Sequence, residues 1–266
     1  LIRLPNLLIM AFTMIMLRYF LVLPWLNIQN CALNYDAVQL QFSDLNFILL
    51  VLSVVLISAA GYIINDYFDV RIDKLNRPDT NVIDRGIKRR WAIVLHTAFN
   101  IIAVLLGIWL SWQNHILTLG LMLFVGAPTL LWFYSIDFKR RAVIGNVVIS
   151  LLTGMVPLLV ALFEVPALNR RYAEGVQLGL VNFNPIIEMA CVFAIFAFTL
   201  SMIREMIKDI EDYEGDMQYG CKTLPIVAGI ARTKWVIIGL ISIFIIFLGY
   251  YEYTRFMADA EPDMIS

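Results

Sequence analysis

Seven long apolar stretches constrain this chain more than any other feature. They fall at residues 7–26, 45–65, 91–112, 116–135, 143–163, 185–203 and 234–251. About 20 mostly apolar residues suffice for a helix to cross the hydrocarbon core of a bilayer. Within that core every backbone N–H and C=O needs an internal partner, so each stretch is predicted to be helical. Most are apolar around their whole circumference, as lipid-embedded helices are. Only 15% of the residues are charged, whereas a soluble domain carries about 25%. The expected fold is an all-α, polytopic transmembrane helix bundle, with residues 1–266 forming one domain. Gly61, Gly126, Pro128, Gly154 and Pro157 lie inside the predicted helices, where a membrane bundle tolerates them as close contacts or kinks.

Charge sets the expected orientation. Arg3 precedes the first stretch, and the loop after the second holds Arg71, Lys74, Arg77, Arg85, Lys88, Arg89 and Arg90. Lys139, Arg140 and Arg141 follow the fourth, and Arg204, Lys208, Lys222 and Arg232 lie between the sixth and seventh. The alternate loops are nearly bare of Lys and Arg, with only Arg170 and Arg171 after the fifth stretch. The positive-inside rule places the N-terminus and the charged loops in the cytoplasm, for a protein of the cell's inner membrane. Lys88-Arg89-Arg90 reads as a topology anchor at the lipid headgroups.

Two matched sets of carboxylates fall on that side. Asp66, Asp69 and Asp73 are spaced i, i+3, i+7, one helical face. Asp209, Asp212 and Asp216 repeat the spacing, with Glu205 one turn earlier and Asn65 flanking the first set. So much negative charge at the ends of two membrane helices calls for counter-ions. The absence of Cys and His near either set argues against zinc, and oxygen-only donors suit Mg2+. Two Mg2+ ions between the ladders would make a diphosphate cradle, with Asn65, Asp66, Asp69, Asp73, Glu205, Asp209, Asp212 and Asp216 as candidate ligands. Arg77, Lys139, Arg140, Arg204 and Lys208 are candidate diphosphate-binding residues, with Lys222 also in reach. A diphosphate site at the mouth of a lipid-embedded bundle implies an apolar tail, whose path Tyr67, Phe68, Trp132, Phe133 and Tyr134 could line. Tyr134-Ser135 is the best-placed polar and aromatic pair.

Other conspicuous residues have plainer readings. Cys31, Cys191 and Cys221 are widely separated and read as packing residues, and His96 and His115 as structural. Arg18, midway along the first stretch, must face the interior, a cavity or a partner, snorkel to an interface, or pair with a carboxylate the sequence does not identify. No nucleic-acid signature is present.

Asn65-Asp66-x-x-Asp69-x-x-x-Asp73 and Asp212-x-x-x-Asp216 resemble the paired NDxxDxxxD and DxxxD motifs of the UbiA superfamily of intramembrane prenyltransferases. The run Arg204–Asp216 with Lys222-Thr223-Leu224-Pro225 is similar to the branch that makes digeranylgeranylglyceryl phosphate. So are Arg3-Leu4-Pro5-Asn6, Tyr134-Ser135, Lys139-Arg140 and Gly145-Asn146. The resemblance implies a bundle around a central cavity and Mg2+-dependent transfer of a prenyl chain from its diphosphate, geranylgeranyl diphosphate in that branch, to a lipophilic or glycerol-phosphate acceptor. It implies catalytic roles for Asp66, Asp69, Asp73, Asp212 and Asp216, with Tyr134 and Lys139 helping to hold the reacting pair.

Two departures accompany it. Thr80-Asn81 stands where the family commonly has Arg-Pro, so one phosphate-facing arginine is absent or replaced by Arg77 or Arg85. Seven spans are counted where the family has nine, so its last two helices are expected to be missing. Prenylation of an aromatic ring and divalent-cation transport are the competing readings. An accessory subunit is disfavoured by the intact carboxylates.

Overall fold

The computed structural model describes residues 3–33, 38–76 and 88–260, excepting the side chains of 31–33, 71–76 and 255–260. The chain begins with α1 (Leu4–Leu17), a π-helical turn (Arg18–Val22) and α2 (Leu23–Leu33), which together make the first span. Then come α3 (Asp44–Asn76), α4 (Arg89–Gln113), α5 (Leu117–Ile136), a 3-10 turn (Phe138–Arg140) and α6 (Ile144–Arg171). The remainder is α7 (Ala173–Gln177), α8 (Asn184–Glu211), α9 (Tyr213–Gln218), α10 (Leu224–Ala228) and α11 (Ile230–Ala260). Among the described residues seven helical runs, the one through α1 and α2 together with α3, α4, α5, α6, α8 and α11, are long and apolar enough to cross a membrane, matching the seven predicted spans. The molecule is an all-α membrane bundle, and among the described residues the one β-type contact is an isolated bridge between Arg141 and Lys222.

The interior is built by α6 lying along α8 and α3 along α4. A Cβ at Gly154 would stand 2.9 Å from the Ala194 carbonyl oxygen, so only glycine lets the α6 and α8 backbones approach this closely. Met14, Leu26, Leu50, Phe124, Phe163 and Phe183 fill the main core.

Several predicted helix ends fall short. The first span, predicted to end at 26, continues to Leu33, and at Arg18 its helix widens, the Leu23 amide bonding back to the Arg18 carbonyl. Pro24, just beyond, has no N–H to donate, and a π-turn is one way a helix absorbs such a break. The fifth span runs past the predicted end at 163, through Pro166, to Arg171.

Glu164 does not end that helix because its charge is matched. Arg18 is 1% exposed and its guanidinium meets Glu164 Oε2 at 3.0 Å and Asp44 Oδ1 at 3.0 Å. Glu164 Oε1 accepts from the Gln41 and Phe42 amides at 2.6 and 3.1 Å. The Phe47 ring lies 4.5 Å from the guanidinium carbon. The carboxylate that the sequence left unidentified is therefore Glu164. The cluster pins the strand of chain leading into α3 against the bundle, at the end opposite Asp66 and Asp69.

Candidate active site

The C-terminal half of α3 presents Tyr62, Asn65, Asp66 and Asp69, and α3 packs on α9, which carries Asp216. The two acidic sets therefore meet at one end of the bundle. The second set does not ride one uninterrupted helix, as its spacing predicted. Helix α8 stops at Glu211 and Asp212 sits at the junction, while hydrogen bonds from Asp212 N to Lys208 O (2.9 Å) and Asp216 N to Asp212 O (3.0 Å) carry the turn across. Asp73 lies on α3 but its side chain is outside the described residues, as is all of Arg77.

Lys139, on the 3-10 turn after α5, reaches across to the first set. Its ammonium forms a salt bridge with Asp69 and lies 3.4 Å from Asn65 Oδ1. Asn65 Nδ2 in turn donates to Asp69 Oδ2 at 2.8 Å. Burial pulls the Lys139 pKa below the ordinary lysine value, opposed by the Asp69 charge. Burial pushes the Asp216 carboxyl up to about 6; Asp212 and, from across the interface, Asp69 push the same way against Lys208 and Lys139. The Asp69 charge thus acts on Asp216 across the α3–α9 contact.

The second set has its own support. Asn146 Nδ2 donates to Asp209 Oδ2 at 2.8 Å, and Arg204 pairs with its neighbour Glu205 at 2.8 Å. The Lys222 amide donates to the Arg140 carbonyl at 2.7 Å, tying the Lys139 turn to the segment after α9. Gly145 lets the start of α6 lie directly against the same turn. A Cβ there would fall 2.8 Å from both Lys139 Cα and the Phe138 carbonyl oxygen, which are backbone atoms with no rotamer to yield. Gly145→Ala is therefore expected to cost about 1–3 kcal/mol as overpacking, read as a lower thermal unfolding midpoint in detergent.

Beside the acidic residues opens a cavity of about 620 Å3. Arg3, Asn65, Tyr134, Arg204, Glu205 and Lys208 line its polar end, and aliphatic side chains from α3, α5, α6 and α8 line the rest. Asn6 donates to the Tyr62 hydroxyl at 3.1 Å, and the Arg3 guanidinium carbon stands 5.3 Å from the Tyr62 ring centre. Sequence reasoning assigned no role to Arg3, Asn6 or Tyr62, although the run beginning at Arg3 is the visible signal.

The other singled-out residues divide between lining the cavity and packing. Of the five aromatics proposed for a tail's path, only Tyr134 lines the cavity. Phe68 packs edge-on against Tyr67 and Trp132, Trp132 lies against His96, and Phe133 stacks on Phe138. The Ser135 hydroxyl bonds to the Leu131 carbonyl of its own helix and not toward the site. Arg140 is exposed. His96 is structural, with its Nδ1 2.9 Å from the Ala60 carbonyl.

The donor set is wholly oxygen: carboxylates and the Asn65 amide. Among the described residues no three carboxylates, imidazoles or thiols converge closely enough to hold a metal ion alone. Such a set fits Mg2+, which takes one or two carboxylates and completes its shell with waters and substrate phosphate.

Residues 35–258 match the family model described as the UbiA prenyltransferase family. A digeranylgeranylglyceryl phosphate synthase from Thermococcus kodakarensis is 38% identical over 189 residues, covering 71% of this chain and 59% of that one. Its counterpart from Thermococcus sibiricus is 35% identical over 187 residues, covering 70% of this chain and 58% of that one. The chain thus spans less than two thirds of the length of these curated relatives. A structure solved in a study of digeranylgeranylglyceryl phosphate synthase in membranes has the same fold: TM-score 0.60, 23% identity, 95% of this chain and 76% of that one. So does a UbiA homolog from Archaeoglobus fulgidus solved bound to DMAPP and Mg2+: TM-score 0.55, 17% identity, 93% and 75%. With the paired acidic motifs meeting across α3 and α9, this chain belongs to the UbiA prenyltransferase family.

Proposed function

We propose that this protein transfers a prenyl chain from a prenyl diphosphate to a lipophilic acceptor within the membrane, with Mg2+ as cofactor. The observation that carries the reading is the meeting of two acidic sets, one of them paired with Lys139, next to the end of an apolar cavity that Asn65, Glu205 and Lys208 line. Asp69, Asp209, Asp212 and Asp216, with Asn65, Asp66, Asp73 and Glu205, are the residues that would hold the ions, two in number. Bound Mg2+ supplies Lewis-acid stabilisation of charge on the departing diphosphate.

The chain's own residues supply the rest. Lys139 offers a fixed positive charge, held in place by Asp69 and Asn65, where the diphosphate oxygens gather charge. Arg77, Arg140, Arg204 and Lys208 are the further cations for that headgroup. The aliphatic cavity holds the prenyl chain and limits capture of its electron-poor carbon by water. Tyr134 lines the polar end, where its hydroxyl and ring can face the reacting carbon.

Among acceptors a glycerol-phosphate lipid is favoured over an aromatic ring, and geranylgeranyl diphosphate is the favoured donor. The similarity to archaeal digeranylgeranylglyceryl phosphate synthases supports both choices. The acidic mouth faces the cytoplasm by the distribution of Lys and Arg.

The test is incubation of purified protein and Mg2+ with labelled geranylgeranyl diphosphate and either glycerol-phosphate lipids or aromatic acceptors. Product with the lipid alone is the expected result; no product with either would sink the reading. Lys139→Ala is expected to raise KM for the donor about tenfold or more, the scale of a lost charge-assisted contact worth about 1.5–3 kcal/mol. Steady-state kinetics over a donor titration would check it.

A further inference from the structure

Asn146 is the third residue of α6, in a first turn whose preceding residue makes no side-chain cap. An asparagine there ordinarily serves the local backbone of a turn or helix start. This one is 7% exposed and reaches 63 positions along the chain, giving its amide N–H to Asp209 Oδ2 at 2.8 Å.

The backbone before it is distorted to allow this. Val143 has φ +68° and ψ −40°, and Ile144 N bonds to the Ala142 carbonyl at 2.8 Å, closing a γ-turn. That conformation is strained for a β-branched residue, and such strain is kept where surrounding contacts demand it. Gly145 follows, fitted against Lys139 Cα with no room for a side chain. One short connection between α5 and α6 thus delivers Lys139 to Asp69 and Asn146 to Asp209.

The chemistry of the two contacts differs. An ammonium neutralises the carboxylate it touches. A carboxamide fixes one oxygen by a single hydrogen bond and leaves the negative charge in place. Glu205 stands one turn before Asp209 on the same helix, Lys208 is its neighbour in sequence, and the Asp216 charge on α9 lies within electrostatic reach. A carboxylate so surrounded by like charge, once oriented but not neutralised, is suited to a cation.

We propose that Asn146 is a positioning residue that orients the Asp209 carboxylate for a divalent cation. The inference rests on the cation-assisted reading above and adds a residue to it. The hydrogen bond holds the Oδ2 edge, so Asp209 presents Oδ1 without searching rotamers. Partners of this kind, one step removed from a metal, are typically worth 10–100-fold in metal affinity.

The test uses Mn2+ as a paramagnetic probe with inorganic pyrophosphate on the purified chain, so that no prenyl transfer is needed. Asn146→Leu keeps the buried volume and removes the donor. It is expected to weaken Mn2+ binding about tenfold or more, and to raise the metal concentration giving half-maximal transfer by a similar factor. In an Asp209→Asn background, whose helical content is checked by circular dichroism, the same substitution is expected to add no further loss. Unchanged Mn2+ affinity in Asn146→Leu, or an equal loss in both backgrounds, would overturn the proposal as a packing effect. A wild-type chain that binds no Mn2+ would overturn it together with the cation-assisted reading. Loss of Mn2+ in the variant without any prenyl transfer by the wild type would uphold Asn146 and reject only the reaction.

Discussion

Asp69→Asn and Asp212→Ala are each expected to abolish measurable prenyl transfer in a protein that still folds. Asp69 receives the Asn65 amide at 2.8 Å and the Lys139 ammonium, so its carboxylate is bonded through both oxygens. Removing its side chain altogether would strand a buried ammonium, so the isosteric amide is the cleaner change: it keeps the shape and deletes the charge. Asp212 occupies the α8–α9 junction, where backbone hydrogen bonds that any residue could make fix the course of the chain. Its truncation therefore falls on chemistry more than on folding. Loss of one preorganised group that stabilises developing charge costs about 10²–10³ in rate. A carboxylate that also binds the cofactor sits at the upper end of that range. Initial rates with labelled prenyl diphosphate, alongside thermal unfolding of each variant, decide the matter. A folded variant that keeps even a tenth of the wild-type rate would remove its residue from the machinery.

The apolar stretches made the fold legible, because a membrane leaves the backbone few alternatives to a helix. The acidic motifs made the family legible, because two matched sets of carboxylates at helical spacing carry the resemblance. Packing was not legible. Tyr67, Phe68 and Trp132 lie beside the motifs in sequence or space, yet they pack with one another and His96 outside the cavity. Which face an aromatic presents depends on helix rotation, and an all-round apolar helix carries no periodic signal of it. The aliphatic lining and the Arg3–Asn6–Tyr62 cluster went unassigned for the same reason. Helix ends were misread where one residue's cost is met by a distant partner. Glu164 looks like a boundary until Arg18, 146 positions away, is seen against it. Asn146 carries no spacing rule at all, since its partner is set by the strained turn at Val143.

Glu164→Ala is expected to destabilise the fold by about 3–5 kcal/mol, the scale for breaking a buried ion pair from one side. The Arg18–Glu164 pair is 1% exposed on both members, whereas the Asp44 carboxylate that shares the guanidinium is 73% exposed. An exposed partner contributes about 0–1 kcal/mol, so Asp44→Ala should be nearly silent and Glu164→Ala severe. The alanine takes from a buried guanidinium its one buried carboxylate, leaving it the Phe42 carbonyl and the exposed Asp44, and leaves the Gln41 and Phe42 amides without their acceptor. Glu164→Gln should fall between, because its carbonyl can still accept from those amides while the charge is lost. Replacing Arg18 and Glu164 together by methionine should recover part of the loss, since no buried charge then remains to be matched while the two amides still lack their acceptor. The cluster lies at the end of the bundle opposite Asp69, so Glu164→Ala that stays folded at low temperature should transfer prenyl chains at close to the wild-type rate. Thermal unfolding in detergent paired with that rate measurement separates what holds the helices from what reacts. Equal stability of Glu164→Ala and Asp44→Ala would show that water reaches the pair and that Arg18 is not held as described.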